Sequence, residues 1–300
     1  MFEASHRFCA GKRLFVAGCG YVGSAVARQG MALGMEVHAL TRNPVMAAGL
    51  RDAGIKVMVA DLATADWHGQ LPGEMDFVLN SVSSGGGGLE GYRHSYSEGM
   101  ASLLQWARAA KIGTCVYTSS TSVYPQGGGV VVDETAPLES VADERALVLC
   151  AAEQQLRAST AVGRAYILRL AGIYGPGRHH LLDQIRTGGV LPGGWDHRLN
   201  LIHRDDAAAA VWAAWGAPDA MASGTYNVAD DGPVTKAALI EWLAGQLGVP
   251  APTFDARQPT RRGRDVPDRV IANAKIKREL GWRPRYPDYR AGYAAILAAL

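Results

Sequence analysis

The stretch RLFVAGCGYVGSAVA, residues 13–27, constrains the fold more than any other part of the chain. Arg13–Ala17, RLFVA, is a short apolar run and reads as a strand. Ser24–Leu33 reads as the helix that follows it. Between them Gly18, Gly20 and Gly23 fall at G-x-G-x-x-G spacing on a strand-to-helix turn. Each glycine has a mechanical reason to be there. Gly18 permits the tight turn, Gly20 lets a pyrophosphate approach the backbone, and Gly23 lets the helix pack closely on the strand. The exposed N–H groups and the helix dipole then attract an anion. The turn residues Gly18, Cys19, Gly20, Tyr21, Val22 and Gly23 are therefore the expected phosphate cradle of a dinucleotide.

The rest of the N-terminal two-thirds repeats this alternation. Further strands are expected at Glu36–Leu40, Lys56–Ala60, Asp76–Asn80, Thr114–Thr118 and Ala165–Leu170, with helices over Tyr92–Ala110 and Ala142–Ala158. Strands separated by helices imply a doubly wound α/β fold with a parallel sheet covered on both faces. From Gly172 onward the texture changes to glycine- and proline-rich loops, GIYGPGRHH, RTGGVLPGGWDH and ADDGP, as expected of a lobe assembled from insertions. A helix is expected at Arg204–Trp215, a returning strand at Thr225–Val228, and two last helices at Ala272–Leu280 and Tyr289–Leu300. The resulting division is a dinucleotide-binding domain over 12–174, completed by 199–230. A smaller C-terminal substrate lobe is then built from 175–198 and 231–300.

At the end of the second strand, the residue that reads the ribose would be acidic for NAD. The chain has ALTRNP instead, placing Thr41 and Arg42 there, and a guanidinium suits a 2′-phosphate. NADP is the expected cofactor, with NAD as the alternative; an arginine simply solvated at a loop start is the other reading of Arg42. Asp61 and Leu62 close the third strand where an adenine is flanked, and Asn80 and Ser81 close the fourth. The patch SSGGGG, 83–88, follows directly, as either a lid or a surface turn.

With 48% apolar and 19% charged residues in 300, the chain can bury a large core. A net charge of +2 and no stacking ladder beside QPTRRGRDVPDR argue against a nucleic-acid partner. Four cysteines without CxxC spacing argue against a zinc cage and fit a reducing cytoplasm. No signal-peptide core and no run approaching roughly 20 apolar residues are visible, so a cytoplasmic protein without a membrane partner is expected. His179, His180, Asp196 and His197 lack helical ligand spacing, and no metal is expected.

Several ordered motifs resemble the extended short-chain dehydrogenase/reductase superfamily, the NAD-dependent epimerase/dehydratase group. These are YTSSTSVY (117–124), LRLAGIYGPGR (168–178), LIHRDD (201–206), YNVAD (226–230) and ANAKIKRELGWRP (272–284). The resemblance implies a small-molecule substrate, hydroxyl- or carbonyl-bearing, with sugar-like molecules among the candidates, and a homodimer through the helices at Tyr92–Ala110 and Ala142–Ala158. Their apolar residues Leu103, Leu104, Trp106, Leu147, Val148 and Ala151 would serve a dimer or the core equally. It also implies that Ser120, four residues before Tyr124, holds the substrate oxygen, unless that serine only satisfies its own turn. The arginines Arg178, Arg204, Arg261, Arg262 and Arg264 would suit a diphosphate or remain solvated.

The chain departs from the family in its glycine turn, G-x-G-x-x-G where T-G-x-x-G-x-x-G is usual, and at the catalytic pair. A tyrosine-x-x-x-lysine pair is expected on the helix after YTSSTSVY, with a glutamate four residues beyond the lysine. If that glutamate is Glu153, Arg145 stands in the tyrosine slot and Leu149 in the lysine slot. No other register restores the pair: no tyrosine lies between Tyr124 and Tyr166 and no lysine between Lys111 and Lys236. The resemblance is thus to an atypical branch that keeps fold and cofactor loop. Replacement acid/base groups would be Tyr174, Tyr124 or His203, with Tyr92 and His94 further down. The other reading, which the resemblance implies, makes Tyr174 and Tyr124 packing or lobe-positioning residues and His203 an orienting residue of the hinge. Two readings stay open: an oxidoreductase or epimerase-like enzyme with a non-standard acid/base, and a catalytically inactive dinucleotide-binding redox sensor or scaffold.

Overall fold

Seven parallel strands form the central sheet: β1 Arg13–Ala17, β2 Glu36–Thr41, β3 Lys56–Val59, β4 Glu74–Asn80, β5 Lys111–Ser120, β6 Arg164–Leu170 and β7 Gly224–Val228. Their order across the sheet is β7-β6-β5-β4-β1-β2-β3, and every neighbouring pair is parallel. The computed structural model describes residues 8–192, 194–255, 257 and 267–300. Arg261, Arg262 and Arg264 lie outside the described residues.

Successive side chains of a strand point to opposite faces, and the core divides accordingly. Leu14 and Val16 of β1 join one apolar layer with Val26 and Trp215, while Phe15 and Ala17 join the other with Trp67 and Trp106. The first layer is closed by α1 (Tyr21–Ala32) and, further along the chain, by the helix Arg204–Trp215. The helix Pro44–Arg51, here α2, begins at Asn43, whose side chain accepts from the N–H groups of Val45 and Met46 at 2.9 and 3.1 Å. With Pro44 at its first position this start was readable, yet Asn-Pro after a strand also reads as a loop.

The helix expected over Tyr92–Ala110 is divided. A helical turn at Gly88–Tyr92 leads into a π-helical stretch, Arg93–Glu98, and only then into α3, Gly99–Ala109. The wide turn goes with His94, which reaches Asp61 on one side and Glu98 on the other. Next comes α4, Glu144–Ala158, capped by Asp143 accepting from Ala146 N–H at 2.9 Å. Leu103, Leu104, Trp106 and Val148 are buried within the chain's own core, whereas Leu147 and Ala151 face outward.

Beyond β6 follow α5 (His180–Thr187), α6 (Arg204–Trp215), α7 (Lys236–Leu247), α8 (Ala274–Glu279) and α9 (Tyr289–Ala298). A third apolar cluster joins Tyr174, Leu182 and Ile185 to Leu239, Leu243, Tyr293 and Ile296. Helices α5 and α7 sit among segments that the glycine texture suggested were loops. Thr235 caps α7 by accepting from Ala238 N–H. Small parallel ribbons tie this region down: Gly172–Tyr174 pairs with Leu201–His203, and Val130–Val132 with Arg269–Ile271.

Candidate functional site

The strand order reverses between β1 and β4, and a crevice at the carboxyl edge there is where open α/β sheets bind ligands. The glycine turn lies on that crevice. Gly18 has φ +79°, and a Cβ there would stand 2.5 Å from the backbone of Val82. A Cβ on Gly23 would stand 2.5 Å from the Gly18 carbonyl oxygen. At Gly20 a Cβ would meet nothing within 4 Å. The space over Gly20 is open, and no side chain caps α1. Those two features are what a pyrophosphate needs, so the chain fits the dinucleotide its motif implies.

The other turn residues divide their labour. Cys19 and Val22 are buried beneath the turn, and burial pushes the Cys19 thiol up to about 12. Tyr21 donates to the Pro176 carbonyl at 2.9 Å, and its ring lies 5.4 Å from the Arg178 guanidinium and 5.3 Å from that of Arg204. The cofactor turn is thereby joined to the GIYGPGR loop and to the start of α6.

Beyond β2, Thr41 is buried and accepts from Asn43 N–H at 3.2 Å. Arg42 reaches across the edge of the sheet to the Asp61 carboxylate at 3.5 Å and to the carbonyls of Ser83 and Ser84 at 3.4 Å. It is therefore tethered to the glycine patch, in which Gly85, Gly86, Gly87 and Gly88 all have positive φ. Burial raises the Asp61 carboxyl, but hydrogen bonds from Ala63 N–H and His94 outweigh it and leave the group below its ordinary range. Glu98 and Asp61 together raise His94. Leu62 is buried against α3. Asn80 is fully buried, accepting from Val82 N–H and contacting Met100 Sδ at 3.9 Å. The Ser81 hydroxyl accepts from Thr118 at 3.1 Å.

At the end of β5 the Ser120 hydroxyl accepts from Ser122 N–H at 3.1 Å and so caps the turn Thr121–Val123. That role uses a lone pair and leaves the O–H proton available to a ligand oxygen. Beside it a buried network crosses the sheet. Ser119 donates to Glu153 at 2.7 Å, and Glu153 also accepts two bonds from Arg169, at 3.0 and 2.7 Å, and one from Arg157 at 2.6 Å. Arg169 donates to the Tyr124 hydroxyl at 2.8 Å, which in turn donates to Asn227 at 2.7 Å. Arg269 completes the tie through the carbonyls of Tyr124, Gln126 and Thr121.

The candidate acid/base residues are all engaged in the fold. Tyr124 is buried in that network, where burial raises its phenol and both lone pair and proton are already engaged. Tyr174 packs in the third apolar cluster, stacked on Tyr293 at 4.9 Å, with burial raising its phenol well above the ordinary value. His203 caps α6 by accepting from Asp205 N–H at 3.2 Å and lies between the rings of Tyr174 and Tyr286. Burial lowers its pKa, which disfavours the charged form of the ring. Tyr124 has both donor and acceptor engaged, whereas His203 is engaged at the start of α6 through Nδ1 and has its Nε2 beside Gly175. His179 pairs with Asp183, and among the described residues no group of three His, Cys, Asp or Glu is placed to hold a metal ion.

Sequence reasoning missed Arg169 and Asp230. Arg169, in the middle of the apolar strand LRL, was the visible anomaly, since a charge on a fully buried strand demands a partner. Asp230 is 4% exposed, and its Oδ2 has no hydrogen-bond partner among the described residues. Burial pushes its carboxyl up to about 7, and Asp288, Asp231 and Asp206 add to the effect.

Helix α4 descends between parallel strands β5 and β6, so its first turns stand beyond the carboxyl edge of the sheet. Arg145, Leu149 and Glu153, at intervals of four, share one face of it. Leu149 is buried in the core, and Arg145 is half-buried with its guanidinium 5.4 Å from the Tyr92 ring.

The model of the NAD-dependent epimerase/dehydratase family matches residues 14–229. Protein YeeZ of Escherichia coli K12 is 29% identical over 285 residues, covering 92% of this chain and 97% of that protein. A 3-diazoavenalumate denitrifying reductase from a Streptomyces species is 31% identical over 212 residues, 65% of this chain and 69% of its own. A 2-alkyl-3-oxoalkanoate reductase of Shewanella oneidensis is 27% identical over 267 residues, 80% and 67%. A conserved protein of unknown function from Silicibacter pomeroyi has a solved structure that superposes with a TM-score of 0.77 at 28% identity, covering 96% of this chain and 99% of that one. Among the described residues no helix is long and apolar enough to cross a membrane.

Proposed function

Because the chain belongs to the NAD-dependent epimerase/dehydratase family, we propose that it is an NADP-preferring oxidoreductase of a small carbonyl or hydroxyl compound that works without a tyrosine–lysine pair. The observation that carries this is the pairing at one crevice of an open, uncapped glycine turn with a serine whose proton is free. The turn's N–H groups, with Arg178 and Arg204 nearby, would hold the pyrophosphate. Arg42 would hold the 2′-phosphate, exchanging its contacts with Asp61 and the Ser83 and Ser84 carbonyls for a stronger anionic partner. Bound there, the nicotinamide supplies or accepts hydride. Ser120 donates its hydrogen bond to the reacting oxygen of the substrate, and water exchanges the proton. Arg145 occupies the tyrosine slot and Leu149 the lysine slot; neither side chain is a proton shuttle. Two relatives named as reductases of carboxylate compounds support reduction as the direction.

The same two residues favour the second reading, a dinucleotide-binding sensor or scaffold without turnover. Loss of reduced-nicotinamide absorbance on adding aldehydes, ketones, oxo acids and nucleotide sugars separates the two. Oxidation of NADPH by any of them supports the enzyme. Tight NADPH binding with no oxidation and no isomerisation across the panel would establish the sensor.

A further inference from the structure

We propose that Arg145 is the anchor for a carboxylate on the substrate, making the ligand a small oxo acid or hydroxy acid whose reacting oxygen lies toward Ser120. The inference rests on the oxidoreductase reading for the place of the substrate, and deepens it by naming a substrate class.

The register of α4 places the residue. Glu153 is fastened to Ser119 and Arg169 by three short bonds, which fixes the rotation of the helix about its axis. One turn nearer the amino end, Leu149 is buried. One turn further, on the same face, Arg145 emerges beyond the carboxyl edge of the sheet, roughly 12 Å along the helix from Glu153 at 1.5 Å per residue. The face that meets Ser119 at its middle therefore presents a guanidinium at the rim where Ser120 stands.

The charge of Arg145 is unspent. Among the described residues it forms no hydrogen bond or ion pair, and its guanidinium lies over the face of the Tyr92 ring. Nearby acids are engaged or outward: Asp143 caps α4, and Glu144 is exposed. Tyr92 in turn packs on Tyr96 at 5.1 Å, so an aromatic wall backs the guanidinium. Such a wall restricts the side chain while leaving its five donors unused, and a planar fork matches a carboxylate in bidentate geometry. Arginine cannot relay a proton here, but it can fix an anion in one orientation.

The test uses the full-length protein loaded with NADP⁺, in wild-type, Arg145→Gln and Arg145→Lys forms. Acetoacetate, phenylpyruvate and their methyl esters are titrated by calorimetry, with NADP⁺ affinity and melting temperature measured alongside. The wild type should bind at least one acid about tenfold or more tightly than its ester. Arg145→Gln should bring that ratio to about one, and Arg145→Lys should restore part of it, with cofactor affinity and melting temperature unchanged. Equal binding of acid and ester by the wild type, a ratio unaltered in Arg145→Gln, or no binding of any probe would overturn the proposal. Turnover separates the two claims. An Arg145-dependent acid preference without NADPH oxidation refutes the oxidoreductase reading alone, while turnover indifferent to the carboxylate refutes the role of Arg145 alone.

Discussion

Replacing Gly20 by alanine separates cofactor binding from folding, because the two glycines flanking Cys19 are glycines for different reasons. At Gly20 φ is −91°, and an added Cβ meets nothing within 4 Å. Gly20→Ala meets no steric obstacle and should therefore remain folded and lose less stability than Gly18→Ala. The methyl group fills the space assigned to the pyrophosphate and displaces it from the N–H groups at the start of α1. Losing one hydrogen bond to a charged oxygen costs about 1.5–3 kcal/mol, so NADPH should bind roughly 10- to 150-fold more weakly. Gly18→Ala is the contrast. Its Cβ would sit 2.5 Å from Val82 backbone atoms at φ +79°, where strain and overpacking each cost about 1–3 kcal/mol. That variant should lose much of its stability whether or not cofactor is present. Denaturant titration and calorimetric NADPH titration of both variants provide the readout. A folded Gly20→Ala protein that binds NADPH as tightly as wild type would refute the placement of the pyrophosphate.

Three further outcomes follow from the same geometry. Arg42→Ala should weaken NADPH by about tenfold or more and NADH by much less, measured as paired dissociation constants; an equal loss for both would remove the 2′-phosphate role. Glu153→Ala leaves Arg169, 2% exposed, without its carboxylate, and should lower stability by about 3–5 kcal/mol in denaturant unfolding; a loss below about 1 kcal/mol would contradict the network. Asp230, whose carboxyl is raised to about 7, holds its proton in the folded state at a pH where the unfolded chain has lost it. Its contribution is undiminished below about pH 4 and declines as pH rises toward 7, above which the penalty is constant. Asp230→Asn should thus leave stability near pH 4 unchanged and raise it at pH 8. Roughly three pH units at 1.36 kcal/mol each set a ceiling of about 4 kcal/mol. A gain of equal size at both pH values would refute the assignment.

Much of the scaffold was legible because its signals are local. The strand at Arg13–Ala17 and the helix at Arg204–Trp215 have the expected ends, since periodicity and flanking glycine or acidic residues mark them. Helices α5 and α7 were not legible, because their apolar faces serve a third core whose other half, α9, lies about forty residues or more along the chain. The glycine turn was legible as a cofactor cradle for the same local reason. A packing role for Tyr124 and Tyr174 and a hinge role for His203 were open readings of the sequence, but their partners were not, since these lie up to 119 residues away, as for Tyr174 and Tyr293. Glu153 was visible as a register mark on α4, but its bond to Ser119 and its charge partner Arg169 depend on the pairing of β5 with β6.

The central claim is that this crevice transfers hydride although Arg145 and Leu149 occupy the places of the catalytic pair. The most direct measurement is deuterium transfer from NADPH labelled at the reactive nicotinamide carbon, followed by mass analysis of an oxo-acid, ketone and nucleotide-sugar panel. Deuterium on the carbinol carbon of a product, diminished in Ser120→Ala while NADPH affinity is retained, is the expected result. Saturating NADPH occupancy with no label in any product and no isomerised sugar would contradict the claim and leave a protein that binds the dinucleotide without using it.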